Sequence, residues 1–243
     1  MTQRISDIDS VIRSRKTAKM LLPPDSIDVG NEQWNDSYRR ELESMLEVAA
    51  WAPFHRKCHE QTHRNGALDS VVPWRFHIAE RAVCHALIDF LKVQANEHPD
   101  SKWSRAWQSK ITHLLAATGV LIQVTWLPEP APEPTPKPAA EGENRAAESV
   151  SDALSINNIE HVAAASAAVQ NLLLAAESRG WQTYWSSGGI LRDADVFRHL
   201  GIGSHEALLG SLFLSPFIPE GARVMAGGLR DQRGGVGSWS RWL

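Results

Sequence analysis

The chain has 243 residues, enough for one large domain or two small ones, and 43% of them are hydrophobic, enough for a sizeable core. Its 25 basic and 28 acidic residues leave a formal net charge of -3, which argues against a nucleic-acid binder driven by a positive surface. Two cysteines, Cys58 and Cys84, are too few for a disulfide framework, and their spacing is that of no redox or zinc motif. No N-terminal apolar segment flanked by charge and no run of about 18 apolar residues is present, so the expectation is a cytoplasmic protein with no membrane partner.

Residues 6–15 read as an amphipathic helix capped by Ser6 or Asp7, with Ile8, Val11 and Ile12 inward and Leu21–Pro24 ending it. Then comes a basic cluster, Arg13, Arg15, Lys16 and Lys19, with Ser14 and Thr17 interleaved. Such a cluster either grips a phosphate by charge-assisted hydrogen bonds or forms a solvated surface. A second helix spans 37–51, with Tyr38, Leu42, Met45, Leu46 and Ala49 on one side and Pro53 beyond it. Residues 54–70 hold His55, Cys58, His59 and His63. If helical, the three histidines share a face, and the composition suits a metal. The spacing matches no standard site, so no metal is assigned and a solvated or cofactor-facing loop is the default.

Residues 74–79 form a strand, and helices follow at about 80–95 and 102–118. The nearly unbroken apolar run 120–127 is expected of a strand covered on both faces. Proline at every second position makes 128–138 an extended spacer, and 128–153 reads as an insertion that need not divide the chain into domains. The long helix that follows carries a broad stripe of Ile159, Val162, Ala163, Ser166, Val169, Gln170, Leu173 and Ala176. Gly180 stops it, Trp181–Trp185 is a strand, and Ser186–Gly189 is a turn of small residues whose free N–H groups suit a planar ligand or an anion. A short helix at 192–200, a buried strand at 207–214 and a glycine-rich basic tail at 219–243 with Trp239 and Trp242 complete the chain. Strands separated by helices predict a sheet flanked by helices. No dinucleotide fingerprint, phosphate loop, G-x-S-x-G elbow or H-E-x-x-H is present.

In this order, the basic N-terminal cluster, Pro73-Trp74 and the segment RGWQTYWSSGG resemble the nitroreductase family of flavoenzymes, over most of the chain apart from the loops at 54–70 and 128–153. The resemblance implies one α+β domain over 1–243, with a central, mostly antiparallel sheet flanked by helices and shared across a homodimer. It implies FMN as cofactor. Arg15, Lys16, Thr17 and Lys19 match the opening motif that holds its phosphate and ribityl chain, with Lys16 at the ring's pyrimidine edge. Trp185, Ser186, Ser187, Gly188 and Gly189 match the segment beside the ring, which Ser187 and Gly188 would position. His55 follows Ala52-Pro53, where some relatives carry a basic residue or histidine; Arg230 and Arg233 are candidates for the C-terminal phosphate pair. Val71 and Val72 stand where the family commonly has polar residues before Pro-Trp.

The function implied is hydride or electron transfer from NADH or NADPH to a small-molecule electron acceptor, such as a nitroaromatic or quinone, by ping-pong exchange. No protein nucleophile or general base is needed. Two alternatives follow from the departures: flavin chemistry of another kind (oxidative cleavage, dehalogenation or desaturation), or a non-catalytic flavin- or metal-binding protein.

Overall fold

A computed structural model describes residues 2–26, 34–59, 68–129 and 155–243. His63 and most of the 128–153 insertion lie outside the described residues. In chain order the elements are α1 (Thr2–Ser14), β1 (Ala18–Leu21), α2 (Asp36–Ala49), β2 (Trp74–Glu80), α3 (Arg81–Glu97), α4 (Lys102–Trp107), α5 (Lys110–Ala117), β3 (Val120–Trp126), α6 (Ile156–Glu177), β4 (Gln182–Ser186), α7 (Ala194–Leu200), β5 (Ala207–Ser215) and β6 (Arg223–Ala226).

The main sheet has the order β2-β3-β5-β4, and every neighbouring pair is antiparallel. This is the expected α+β arrangement. Strand β3 is central, and Val120–Thr125 are all buried. Its side chains alternate between two cores. Leu121 packs with Leu87, Leu91, Leu115 and Phe213 under α3–α5, whereas Val120, Ile122 and Val124 pack with Val169, Leu172 and Leu212 under α2 and α6. Coverage on both faces is why this strand reads as an apolar run.

Three local expectations give way to tertiary contacts. The first helix ends at Ser14, and Ala18–Leu21 instead forms β1, paired antiparallel with β6 in a separate two-stranded sheet. A strand partner some two hundred residues away leaves no local trace. The expected helix 102–118 is two helices, because Ser109 Oγ accepts from Ile111 N at 3.2 Å and starts a new one. The stripe on α6 holds at Val169, Leu173 and Ala176, which are buried, but is rotated in the first half of the helix. Asn158, His161, Ala164, Ala165, Ala168 and Leu172 are buried, while Ile159 is 48% exposed and Ala163 and Gln170 face outward. Alanine on every side encodes the phase of this helix weakly, so the packing sets it. Helix α6 is long and apolar enough by composition to cross a membrane, but ten of its residues are buried in the chain's own core.

Residues 53–59 are irregular, so His55 and His59 share no helix face. Among the described residues, no three His, Cys, Asp or Glu side chains gather in a metal-binding group. Cys58 is buried, and burial raises its thiol above the ordinary value despite the nearby Arg75. Burial pushes the Cys84 thiol up to about 12. Both cysteines stay protonated at neutral pH, which makes them packing residues rather than nucleophiles.

Candidate active site at the β4 edge

The end of β4 shapes a cavity of about 730 Å³. Helix α6 stops, Gly180 takes φ +75°, and β4 carries the chain along the sheet edge to Ser186. The turn beyond needs glycine: Gly188 has φ +99° and Gly189 φ +55°. A Cβ on Gly188 would fall 2.6 Å from Leu208 Cδ2, so the position is closed to side chains by space as well as by backbone conformation. A Cβ on Gly189 would meet no protein atom within 4 Å, which leaves open space over the turn.

Three side chains fix this turn. Ser186 Oγ accepts from Gly188 N at 3.2 Å. Arg192 reaches back and donates to the carbonyls of Ser187, Leu208 and Leu209, at 2.5, 2.6 and 3.2 Å. Gln123, fully buried on β3, accepts from Ser211 Oγ at 2.5 Å and donates to Leu191 O at 3.4 Å. Polar side chains in the middle of β3 and β5 therefore anchor the end of the turn segment from beneath. Beside them, His77 contacts Glu206 at 2.6 Å and Thr125 donates to the same carboxylate oxygen. Burial pushes the Glu206 carboxyl up, but the hydrogen bonds from His77 and Thr125 outweigh it and bring the carboxyl below its ordinary value.

Tyr184, Ser186, Ser187, Gly188 and Gly189 line the cavity on one side, and Lys102, Arg105, Ser109 and Lys110 from α4 and α5 line the other. Asp193 is the single carboxylate among the lining residues; it pairs with Lys102 at 2.5 Å and caps α7 through Asp195 N. The wall is therefore net positive. Local reading of the sequence missed Lys102, Arg105, Lys110 and Arg192. Their signal was a basic residue every few positions along a helical stretch, which is equally the pattern of a solvated face.

No residue of the N-terminal cluster lines this cavity, and Lys19 comes to its border. Lys19 Nζ lies 4.9 Å over the Tyr184 ring, and Leu22 N bonds His113 O on α5. Arg15 and Thr17 are half-buried, and Lys16 is exposed. The guanidinium of Arg230 caps the C-terminus of α1 by donating to the carbonyls of Arg15 and Arg13, and Arg233 donates to Arg230 O. Trp185 points to the other side of the strand, where its indole occupies the space a side chain on Gly210 would fill. His55 is exposed and lies away from the cavity. Its neighbours Phe54 and Arg56 contact Trp74 and Glu160, at the β2 edge.

An antiparallel α+β sheet whose edge strand ends in a glycine turn over a cation-walled cavity of this size has the form of a site for a small anionic or planar molecule. The chain matches the Nitroreductase family over residues 39–214, and it belongs to that family. The fold agrees. A BluB-like flavoprotein from Clostridium difficile 630 superposes with a TM-score of 0.57 at 16% identity, covering 97% of this chain and 98% of the other. A nitroreductase with bound FMN from Bacteroides fragilis NCTC 9343 gives 0.55 at 16%, covering 97% and 98%. The FMN-dependent nitroreductase NfnB from Mycobacterium smegmatis, in complex with NADPH, gives 0.55 at 12%, covering 98% and 99%. No curated protein sequence matches the chain.

Proposed function

We propose that the protein is an FMN-dependent oxidoreductase that takes electrons from NADH or NADPH and passes them to a small conjugated acceptor, such as a nitroaromatic or a quinone. The observation that carries this reading is the glycine turn over a 730 Å³ cavity, bordered by cations, in a chain of the nitroreductase family. The residues present fit the group. The cavity has the volume of a cofactor site, Gly189 leaves open space above the backbone, and the Lys19 ammonium of β1 beside Tyr184 suits a phosphate.

In this reading Arg15 and Lys19 hold the phosphate, Thr17 offers a hydroxyl to the ribityl chain or phosphate, and Lys16 serves the pyrimidine edge. Ser186, Ser187, Gly188 and Gly189 frame the ring with backbone N–H groups held in place by Arg192 and Gln123. FMN, when bound, supplies the two-electron chemistry between a reduced nicotinamide and the acceptor. The chain's own work is positioning and electrostatics. Asp193 is already engaged with Lys102 and the α7 cap, which leaves no unengaged carboxylate among the described lining residues to act as a base.

We also propose a homodimer. Pro73-Trp74 and Ser186–Gly189 lie at the same end of the sheet but on its opposite edges, three strand spacings or about 14 Å apart. His55 reaches such a cavity most simply from a second copy. Large apolar groups on the surface support the same view: Trp51 is 87% exposed and Trp242 fully so, and Ile156 and Ile159 stand out from α6.

The deciding experiment is the visible spectrum of freshly purified protein, followed by that of its heat-released ligand. Oxidised-flavin bands at one flavin per chain are expected. A colourless protein that takes up no added FMN overturns the proposal. Replacing Arg15 and Lys19 together should weaken FMN binding at least tenfold, and unchanged affinity would remove them from the phosphate site.

A further inference from the structure

Two separate groups of cations border the cavity. One is the N-terminal group, Arg15, Lys16 and Lys19, of which Lys19 on β1 comes up beside Tyr184. The other lines the opposite wall from α4 and α5: Lys102, Arg105 and Lys110. The second group is not neutralised from within. Asp193 engages Lys102, and Arg192 is tied to three carbonyls. Arg105 makes one long hydrogen bond, 3.5 Å to Asp100 O, and neither Arg105 nor Lys110 makes an ion pair among the described residues. Both are exposed at the cavity rim.

FMN carries one phosphate, and one group of cations is enough to hold it. Like charges sharing a wall repel one another, and an anion between them turns that repulsion into attraction. We propose that Arg105 and Lys110 recognise an anionic group, phosphate or carboxylate, carried by the second substrate of this cavity. This rests on the flavin reading above. Arginine offers a planar fork that matches either oxyanion, and lysine adds a mobile point charge. The anion has two possible sources: a phosphate of the nicotinamide donor, or an acidic substituent on the acceptor.

The test uses the FMN-loaded protein and its Arg105→Glu/Lys110→Glu double variant. FMN affinity is measured first, by fluorescence titration, and is expected to stay within about twofold of the parent. Calorimetry then follows two matched pairs of probes: 4-nitrobenzoate against nitrobenzene, and adenosine 2′,5′-bisphosphate against adenosine. One anionic probe should bind the variant at least about tenfold more weakly while its neutral partner is unaffected. The pair that separates identifies the source, acceptor or donor. Where charge reversal prevents folding, Arg105→Gln/Lys110→Gln carries the same test with a smaller expected loss. Three results overturn the proposal: both anions binding as in the parent, neutral and anionic probes weakening alike, or FMN affinity falling with the variant, which would hand these cations to the cofactor phosphate. A parent protein that takes up no FMN overturns the flavin reading as well, and shows it before any probe is added.

Discussion

Two arginines gather backbone carbonyls at the same end of the sheet, one at each edge, with opposite results. At the β2 edge Arg75 is 5% exposed and donates to the carbonyls of Leu68, Ser70, Val72 and Trp74. It draws the segment before β2 closed around its guanidinium. At the β4 edge Arg192 is exposed and donates to Ser187, Leu208 and Leu209 from the rim, and the turn it holds stands over open space. The same chemistry therefore seals one edge and frames a cavity at the other. What differs is the flank. Cys58 and the residues around Trp74 fill the first edge, whereas the second has paired glycines and the detached wall of α4 and α5.

The largest effect that would sharpen this contrast is expected at the sealed edge. Arg75→Ala leaves up to four carbonyls short of a donor in a partly buried setting and should cost about 3 kcal/mol, read as a lower midpoint in denaturant melts. A loss below 1 kcal/mol would mean that water replaces the guanidinium and that the edge is not sealed. Next, Gly188→Ala combines a strained backbone with a collision against Leu208 and should cost about 2 kcal/mol. Unlike Arg75→Ala, it should also abolish FMN uptake by the refolded protein.

Between the edges, Glu206 gives a pH signature. Its carboxyl sits lower in the folded protein than its ordinary value of 4.5. Its contribution is therefore present above that value and lost as pH falls through the folded value. Glu206→Gln should be less stable than the parent by about 1–2 kcal/mol at pH 7. The two melting curves should converge as pH falls below the lowered folded-state value of the carboxyl, and a gap that persists there would assign the loss to packing alone. Arg192→Ala removes exposed hydrogen bonds and should change stability by only about 1 kcal/mol. Its main effect should be about tenfold weaker FMN binding, the reverse of the balance at Arg75. Smallest is Arg56→Ala. The Arg56–Glu160 pair is half-exposed, and its loss should shift stability by a few tenths of a kcal/mol.

Most of the elements were legible because they rest on local chemistry. Tyr38, Leu42, Met45, Leu46 and Ala49 mark the inner side of α2, Gly180 stops α6, and Trp74–Glu80 and Val120–Trp126 are apolar enough to be strands. The turn 186–189 was visible for the same reason, since adjacent glycines after a strand announce a positive-φ backbone. The second cationic wall was not. Lys102, Arg105 and Lys110 read as a solvated helix face, and only the packing of α4 and α5 across from β4 turns that face towards the turn. Nor did local pattern show that Arg230 caps α1, because that contact joins the two ends of the chain.

Local sequence specified the apolar content of the core, the four strands of the main sheet with the long helices between them, and a glycine turn fit for a small ligand. Backbone propensity, capping and hydrophobic period act over a few residues and are written locally. Tertiary structure alone decided the phase of α6, the β1–β6 pairing and the separation of Pro73-Trp74 from Ser186–Gly189 on opposite sheet edges. Each depends on contacts between residues far apart in the chain, and alanine-rich or basic stretches satisfy more than one such arrangement until the packing selects one.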